Sequence, residues 1–413
     1  PRTAIGRGGP QAPTAAPGRL PASAQLPPVG IPMELLHKAY SLDPKITYLN
    51  HASMGTMPRI VQRAHRAYLS TCELNPWLYM WSDAWSEALA RTRAEAGALL
   101  GCNPERLAIT RNATEGFHML AQGLKLGPGD EVLFSNLNHV GASAPFQTQA
   151  LRQGFRARRF QIDLTRIPWM FNDDIIEAHV RAIRPSTRVL VLPHIDNIVG
   201  LRHPITAIAR AARGAGVRWV LIDGAQTAGM LPLRLDALEI DAYVTSGHKW
   251  LQGPKGTGLL YLRPRLQHEL RPMFTTWGQE RWQGTVRQFE DFGARDLPGV
   301  LALGDAIAFQ RRFDLAVVDR HRRALWRHVR DRAKSTVSLR WCSSTAWDRG
   351  GAIATIGLRE RASAAIAGKL FKEHGFVLRP FTTEALGTLL RLSPNLANTV
   401  EQLDNLLERL QAT

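Results

Sequence analysis

The densest concentration of reactive side chains lies in Asp241-Ala242-Tyr243-Val244-Thr245-Ser246-Gly247-His248-Lys249-Trp250, which puts a hydroxyl, an imidazole and an amine on one turn. Lysine is scarce in this chain, with eight against 44 arginines. A lysine at the end of an apolar strand, flanked by Ser and His, suits an amine whose pKa is lowered by burial for Schiff-base chemistry; the ordinary use of a turn lysine is surface charge. Gly253-Pro254-Lys255-Gly256-Thr257-Gly258 returns the chain, but it lacks the G-x-x-x-x-G-K-[ST] order and precedes a strand, which excludes a nucleotide-binding loop. Two more strand ends carry matching chemistry. Asp223-Gly224-Ala225-Gln226 places an acid where burial is costly unless a cation or proton donor answers it. Arg111-Asn112-Ala113-Thr114-Glu115-Gly116 is a polar turn opening a helix. Its free N–H groups and positive dipole end suit a phosphate, although a plain helix cap is the commoner use of such a turn.

These residues need elements to hold them. Apolar runs at Leu107–Thr110, Glu131–Ser135, Arg188–Leu192, Arg218–Ile222, Ala242–Thr245 and Gly258–Leu262 predict strands, and Thr114–Gly123 and Ile205–Gly214 predict helices between them. Strand and helix in alternation predict an α/β fold with a doubly wound, mostly parallel sheet, whose ligands sit beyond the carboxyl ends of the strands. After about Pro298 a long basic amphipathic helix, Asp305–Lys334, is followed by short strands and helices. The expected division is a Pro/Ala/Gly-rich tail over residues 1–32, a large domain over 33–297 and a smaller α/β domain over 298–413. The tail holds eight of the 25 prolines, five glycines and no acid, too poor in large apolar groups to order itself. The chain begins at Pro1 without a methionine, so either an initiator methionine or a longer targeting segment is expected to have been removed; the location is then cytoplasmic, or periplasmic after loss of an export signal.

At 413 residues, 45% hydrophobic and 21% charged, this is no short disulfide-stapled module, and no apolar run approaches the roughly 18 residues of a membrane span. Cys72, Cys102 and Cys342 are spaced neither as a disulfide framework nor as metal ligands. The net charge of +17 raises a second class of function, a basic nucleic-acid binder, with Arg152–Arg159 and Asp319–Arg323 as its segments. Neither belongs to a recognisable binding module or interleaves aromatics at regular spacing, so nucleic acid is not an expected partner.

Taken together, the motifs resemble the fold-type I pyridoxal-phosphate enzymes, specifically the class V aminotransferase family that includes cysteine desulfurases and isopenicillin N epimerase. The resemblance runs from Tyr48-Leu49-Asn50-His51-Ala52-Ser53-Met54-Gly55 to Arg391-Leu392-Ser393-Pro394, in the family's order. It implies pyridoxal 5′-phosphate (PLP) as cofactor, held covalently by Lys249, which later moves the Cα proton of an external aldimine formed with an amino-acid or amino-acid-like substrate. It implies that Asp223 keeps the pyridine nitrogen protonated, and that Gln226 and Asn197 hydrogen-bond the ring hydroxyl. The Ala113 and Thr114 amides, with Thr114, Ser246 and His248 side chains, would receive the phosphate. His139 falls where an aromatic or imidazole ring stacks on the cofactor, and Arg391 matches the clamp for a substrate α-carboxylate. Bland readings stand beside these, His139 as a core histidine and Arg391 as an ion-pair partner.

Two departures from the family pattern matter. Desulfurases carry a nucleophilic cysteine shortly before the arginine matching Arg391, yet Arg379–Thr388 contains none, which disfavours a persulfide route. Where the family often has Gly-Thr, with the threonine reaching a partner subunit's phosphate, this chain reads Gly293-Ala294. The resemblance also implies a homodimer with sites near the interface. Transamination, epimerisation and β-elimination share the constellation; the expected activity is that of an aminotransferase-type tailoring enzyme of secondary metabolism, siderophore maturation included, with an epimerase or C–S lyase as alternatives. Asn75–Trp81, Trp277 and Trp282 are expected near the entrance, suiting a small-molecule or peptide-like amino substrate larger than a small free amino acid.

Overall fold

The structure is a computed structural model and describes residues 33–76, 86–276, 278–358 and 363–412. The expected tail over 1–32, Trp277 and most of the Asn75–Trp81 segment lie outside the described residues.

Thirteen strands are described. β1 is Thr47–Tyr48, β2 Leu107–Thr110, β3 Glu131–Ser135, β4 Arg156–Phe160, β5 Thr187–Pro193, β6 Trp219–Asp223, β7 Ala242–Ser246 and β8 Gly258–Leu262. β2 to β8 form one seven-stranded sheet in the order β2-β8-β7-β6-β5-β3-β4. The β7–β6, β6–β5, β5–β3 and β3–β4 pairs are parallel, and β8 runs antiparallel to both its neighbours. The helices of more than two turns in this part are α1 (Arg59–Leu74), α2 (Ser86–Leu100), α3 (Ala113–Gly123), α4 (Val140–Gln153), α5 (Asn172–Ala182) and α6 (Ile205–Gly214). Strand side chains alternate between two buried clusters, as a sheet covered on both faces requires. Val220, Ile222 and Tyr243 join one cluster and Leu221, Ala242 and Val244 the other.

The sequence missed β4, whose Arg-Ala-Arg-Arg-Phe reads as a charge run because it is an edge strand with little buried surface. Its charges are used locally. Arg158 pairs with Glu131 at 2.7 Å, and Arg159 lies over the Phe134 ring at 5.9 Å. The expected helix Asp305–Lys334 is also corrected: α7 (Leu297–Gln310) and α8 (Leu315–Ser335) are separate. The Asp314 side chain accepts the Ala316 N–H at 2.8 Å and restarts the helix as an N-cap. Only α8 is basic and amphipathic; α7 is buried almost throughout and packs against α1 and α2. Pro298, where the sequence texture changes, is the second residue of α7.

β9 (Leu339–Trp341), β10 (Ala354–Leu358), β12 (Arg379–Thr383) and β13 (Gly387–Leu392) make an antiparallel sheet in the order β12-β13-β10-β9, beside α9 (Ser363–His374) and α10 (Val400–Ala412). β11 (Phe376–Val377) pairs in parallel with β1, and Asn50 bridges Ser393. This pairing ties residues 47–50 to the C-terminal sheet. No described helix is long and apolar enough to cross a membrane.

Candidate active site

Five strand ends and one strap of chain converge on a cavity of about 440 Å³. At the end of β2, Asn112 caps α3, its side-chain oxygen accepting the Glu115 N–H at 2.9 Å. The Ala113 N–H donates to Ser246 Oγ at 3.0 Å, pinning the start of α3 to the end of β7. After β3, His139 caps α4 by accepting the Gly141 N–H on Nδ1 at 3.0 Å, so its neutral ring carries the proton on Nε2. A Cβ at Gly141 would lie 2.6 Å from Thr114 Oγ1, so glycine lets the two helix starts close over one space.

After β5, the buried Asp196 carboxylate accepts N–H groups from Ile198, Val199 and Leu201 at 2.7, 2.8 and 2.6 Å, and burial pushes its pKa up to about 6. This closed turn presents Asn197 to the cavity. At the end of β6, Asp223 Oδ1 accepts the Ala225 N–H at 3.0 Å. Tyr243 stacks so tightly on Gly224 that a Cβ there would meet its ring at 1.9 Å, and its hydroxyl bonds His194 Nδ1 at 3.0 Å and Thr227 Oγ1. Gln226 spends one N–H on the Ala52 carbonyl at 3.0 Å and receives the Trp250 indole N–H on Oε1 at 2.7 Å, keeping its second N–H for the cavity.

Lys249 follows β7. Burial pulls its pKa down, Asp223 opposes that shift and Arg391 adds to it. Burial, then Lys249 and Lys255, pull His248 down to about 4; its buried Nδ1 has no partner among the described residues. His139 is pulled down by burial, against Asp223 and with Lys249 and Arg391.

Residues 50–55 cross the cavity. The Gly55 N–H donates to the His248 carbonyl at 2.6 Å, and a Cβ on Gly55 would stand 1.9 Å from the Lys249 carbonyl. From β13, Arg391 reaches the same strap: Nη2 donates to Asn50 Oδ1 at 3.0 Å and Ser53 Oγ at 2.5 Å, and Nη1 to the Asn197 carbonyl at 2.6 Å. Arg391 is only 4% exposed, and among the described residues its Nε has no partner and no carboxylate lies within ion-pair reach. Burial pulls its pKa to about 10.

Ala113, Thr114, His139, Asn197, Asp223, Gln226, Ser246, His248, Lys249 and Arg391 therefore all line one cavity. Sequence reasoning missed Asn50, Ser53 and Arg379. The first two sat inside a motif that carried only a resemblance, and Arg379 was noted only as part of a cysteine-free stretch. Other residues singled out in the sequence do not line this cavity. Ala294 is exposed and outside the cavity. Trp282 lines a separate groove with Arg281 and Arg287, whose guanidinium groups lie 4.9 and 4.8 Å from its ring. None of the three cysteines lines the cavity, and Arg379–Thr388 forms most of the tight β12–β13 hairpin. Within Asp319–Arg323, Arg320 and Arg323 are exposed, but Arg322 is buried against Trp250 and bonds the Gly229 and Met230 carbonyls at 2.9 and 3.1 Å.

A profile of the family described as aminotransferase class-V matches residues 47–406. The chain belongs to the class V aminotransferase family. Isopenicillin N epimerase from Amycolatopsis lactamdurans is 31% identical over 403 residues, spanning 90% of this chain and 96% of that protein. A cysteine desulfurase from Klebsiella pneumoniae is 26% identical, spanning 89% and 93%. Among solved structures, the cystine C–S lyase C-DES in complex with cysteine persulfide superposes with a TM-score of 0.80 at 24% identity, covering 89% of this chain and 98% of that one, which shows the shared fold. The fold is that of the fold-type I PLP enzymes, and PLP is the cofactor.

The cavity fits that group. The orphaned His248 Nδ1, the Ser246 hydroxyl and the start of α3 would hold its phosphate, and the Asp223 carboxylate its ring nitrogen. Lys249 brings an amine whose lowered pKa suits imine formation.

Proposed function

We propose that this enzyme breaks the Cα–H bond of an amino-acid or peptide-like amino substrate, with aminotransferase-type conversion as its reaction. The observation that carries the reading is Arg391, buried without a carboxylate partner in the same cavity as Lys249 and Asp223. When bound, PLP supplies an electrophilic carbon for the substrate amine and a ring that takes up the electron pair of the broken bond. Arg391 binds the substrate carboxylate through its planar fork, and Asn50 and Ser53 fix that fork's orientation. Asp223 keeps a proton at the ring nitrogen. Lys249 Nζ accepts the Cα proton and redelivers it, a role its lowered pKa supports.

A second reading, epimerisation or C–S elimination on the same residues, is favoured by the names of the relatives, isopenicillin N epimerase and cysteine desulfurase. The cysteine-free hairpin disfavours a protein persulfide in either case. The proposed setting is tailoring of a secondary metabolite, a siderophore among them, on an amino substrate larger than a small free amino acid. The working unit is proposed to be a homodimer; a monomer by light scattering with full cofactor loading overturns that.

The test is a screen of amino acids and short peptide amines with the holoenzyme in deuterated water. Deuterium should enter Cα of the substrates, and keto-acid formation then marks transamination, inverted product epimerisation and a released β-group elimination. No exchange in any substrate rejects the proposal.

A further inference from the structure

Resting on the reading that Arg391 holds a substrate α-carboxylate, we infer that Arg379 selects substrates carrying a second anionic group, a carboxylate on the side chain or distal end. Arg379 and Arg391 are direct partners across the antiparallel β12–β13 pair, and cross-strand partners share one face of a sheet. Both line the cavity.

Like charges directly opposite each other destabilise a sheet, so this pair costs stability unless an anion lies between or beside the two guanidinium groups. No described carboxylate forms an ion pair with either arginine; Asp196 is near enough to raise the Arg391 pKa, but its carboxylate is taken up by the Ile198, Val199 and Leu201 N–H groups. Among the described residues the only acid lining the cavity is Asp223, whose charge acts on Lys249 and His139. Three anionic groups can be assigned against these cations. The cofactor phosphate takes His248, Ser246 and the start of α3, the α-carboxylate takes Arg391, and Arg379 is left for the third. Its place on the edge strand, exposed where Arg391 is buried, puts the second anion at the outer part of the cavity. The neighbouring Arg379 charge, after burial, also lowers the Arg391 pKa, in keeping with two cations sharing one space.

The experiment compares a dicarboxylic amino acid with its neutral amide, glutamate with glutamine and 2-aminoadipate with its 6-amide. Each is titrated into the holoenzyme and followed by the change in the cofactor's absorption band. The dicarboxylate should bind at least about tenfold tighter than the amide, and Arg379→Gln should bring the ratio of the two dissociation constants near one. Arg379→Lys should restore part of the ratio. A second readout needs no cofactor: glutarate should raise the melting temperature of the apoprotein more than butyrate does, and Arg379→Gln should erase the difference. The inference is overturned if wild-type protein binds acid and amide equally, or if Arg379→Gln leaves the preference intact. Arg391→Gln separates the two levels. It should weaken acid and amide together; if it weakens neither, the α-carboxylate reading itself fails.

Discussion

Asp241 and Lys249 stand at opposite ends of the β7 segment, eight positions apart in sequence, and both are charged groups drawn into the protein. Asp241 is saturated: its carboxylate accepts from Arg213 at 2.8 Å, Arg265 at 2.6 Å and the Val220 N–H at 2.8 Å. At the other end, among the described residues, neither Lys249 nor Arg391 has an ion pair and His248 keeps an orphaned nitrogen, with Asp223 and Asp196 acting on the two cations only through space. A buried charge with every partner supplied by the chain holds a fold together. Buried cations whose partners the chain withholds mark where a ligand belongs.

Three changes probe that difference, in descending order of effect. Asp223→Asn removes the carboxylate facing the cofactor ring and should lower turnover on the order of 10²–10³-fold while leaving denaturant unfolding of the apoprotein nearly unaltered. A fall of less than about tenfold would place Asp223 outside the reaction. Asp241→Asn should do the reverse. Its loss leaves Arg213 and Arg265 without their shared counter-charge, costing about 3 kcal/mol in urea unfolding, with the cofactor's absorption band unchanged. An altered band with intact stability would erase the distinction between the two ends of the strand.

The smallest effect is on pH dependence. Burial pulls His51, His179 and His194 down to about 4, 4 and 3 from an ordinary value of 6.5. The unfolded chain therefore binds more protons than the folded one below about pH 6.5, and stability should fall as pH drops through that range. Urea midpoints between pH 7 and pH 4.5 should show this fall, and His179→Phe should make it shallower. A flat profile would mean that these rings are hydrated in solution.

The strand ends were legible in the sequence because an apolar run terminating in Asp223, or in Ser246, His248 and Lys249, is chemically odd at the level of single residues. What stayed hidden depends on chain pairing. Asn50 and Ser53 acquire meaning only through Arg391, more than 300 positions away, and no local pattern announces the β1–β11 pairing that brings them there. Arg379 likewise becomes informative only through its register opposite Arg391. The break between α7 and α8 was hidden because both flanks favour helix and only the Asp314 cap separates them. In the two basic segments, Arg158 and Arg322 pack against their own chain, which the charge count of +17 could not show.

The central claim, that Lys249 is the withheld amine that takes the cofactor, is tested most directly by borohydride reduction of the holoenzyme followed by peptide mass spectrometry. The account predicts a pyridoxyl group on Lys249 alone in the wild-type and Asp241→Asn proteins, and none anywhere in Lys249→Ala. A pyridoxyl group on Lys255, or a reducible adduct that survives in Lys249→Ala, would contradict it.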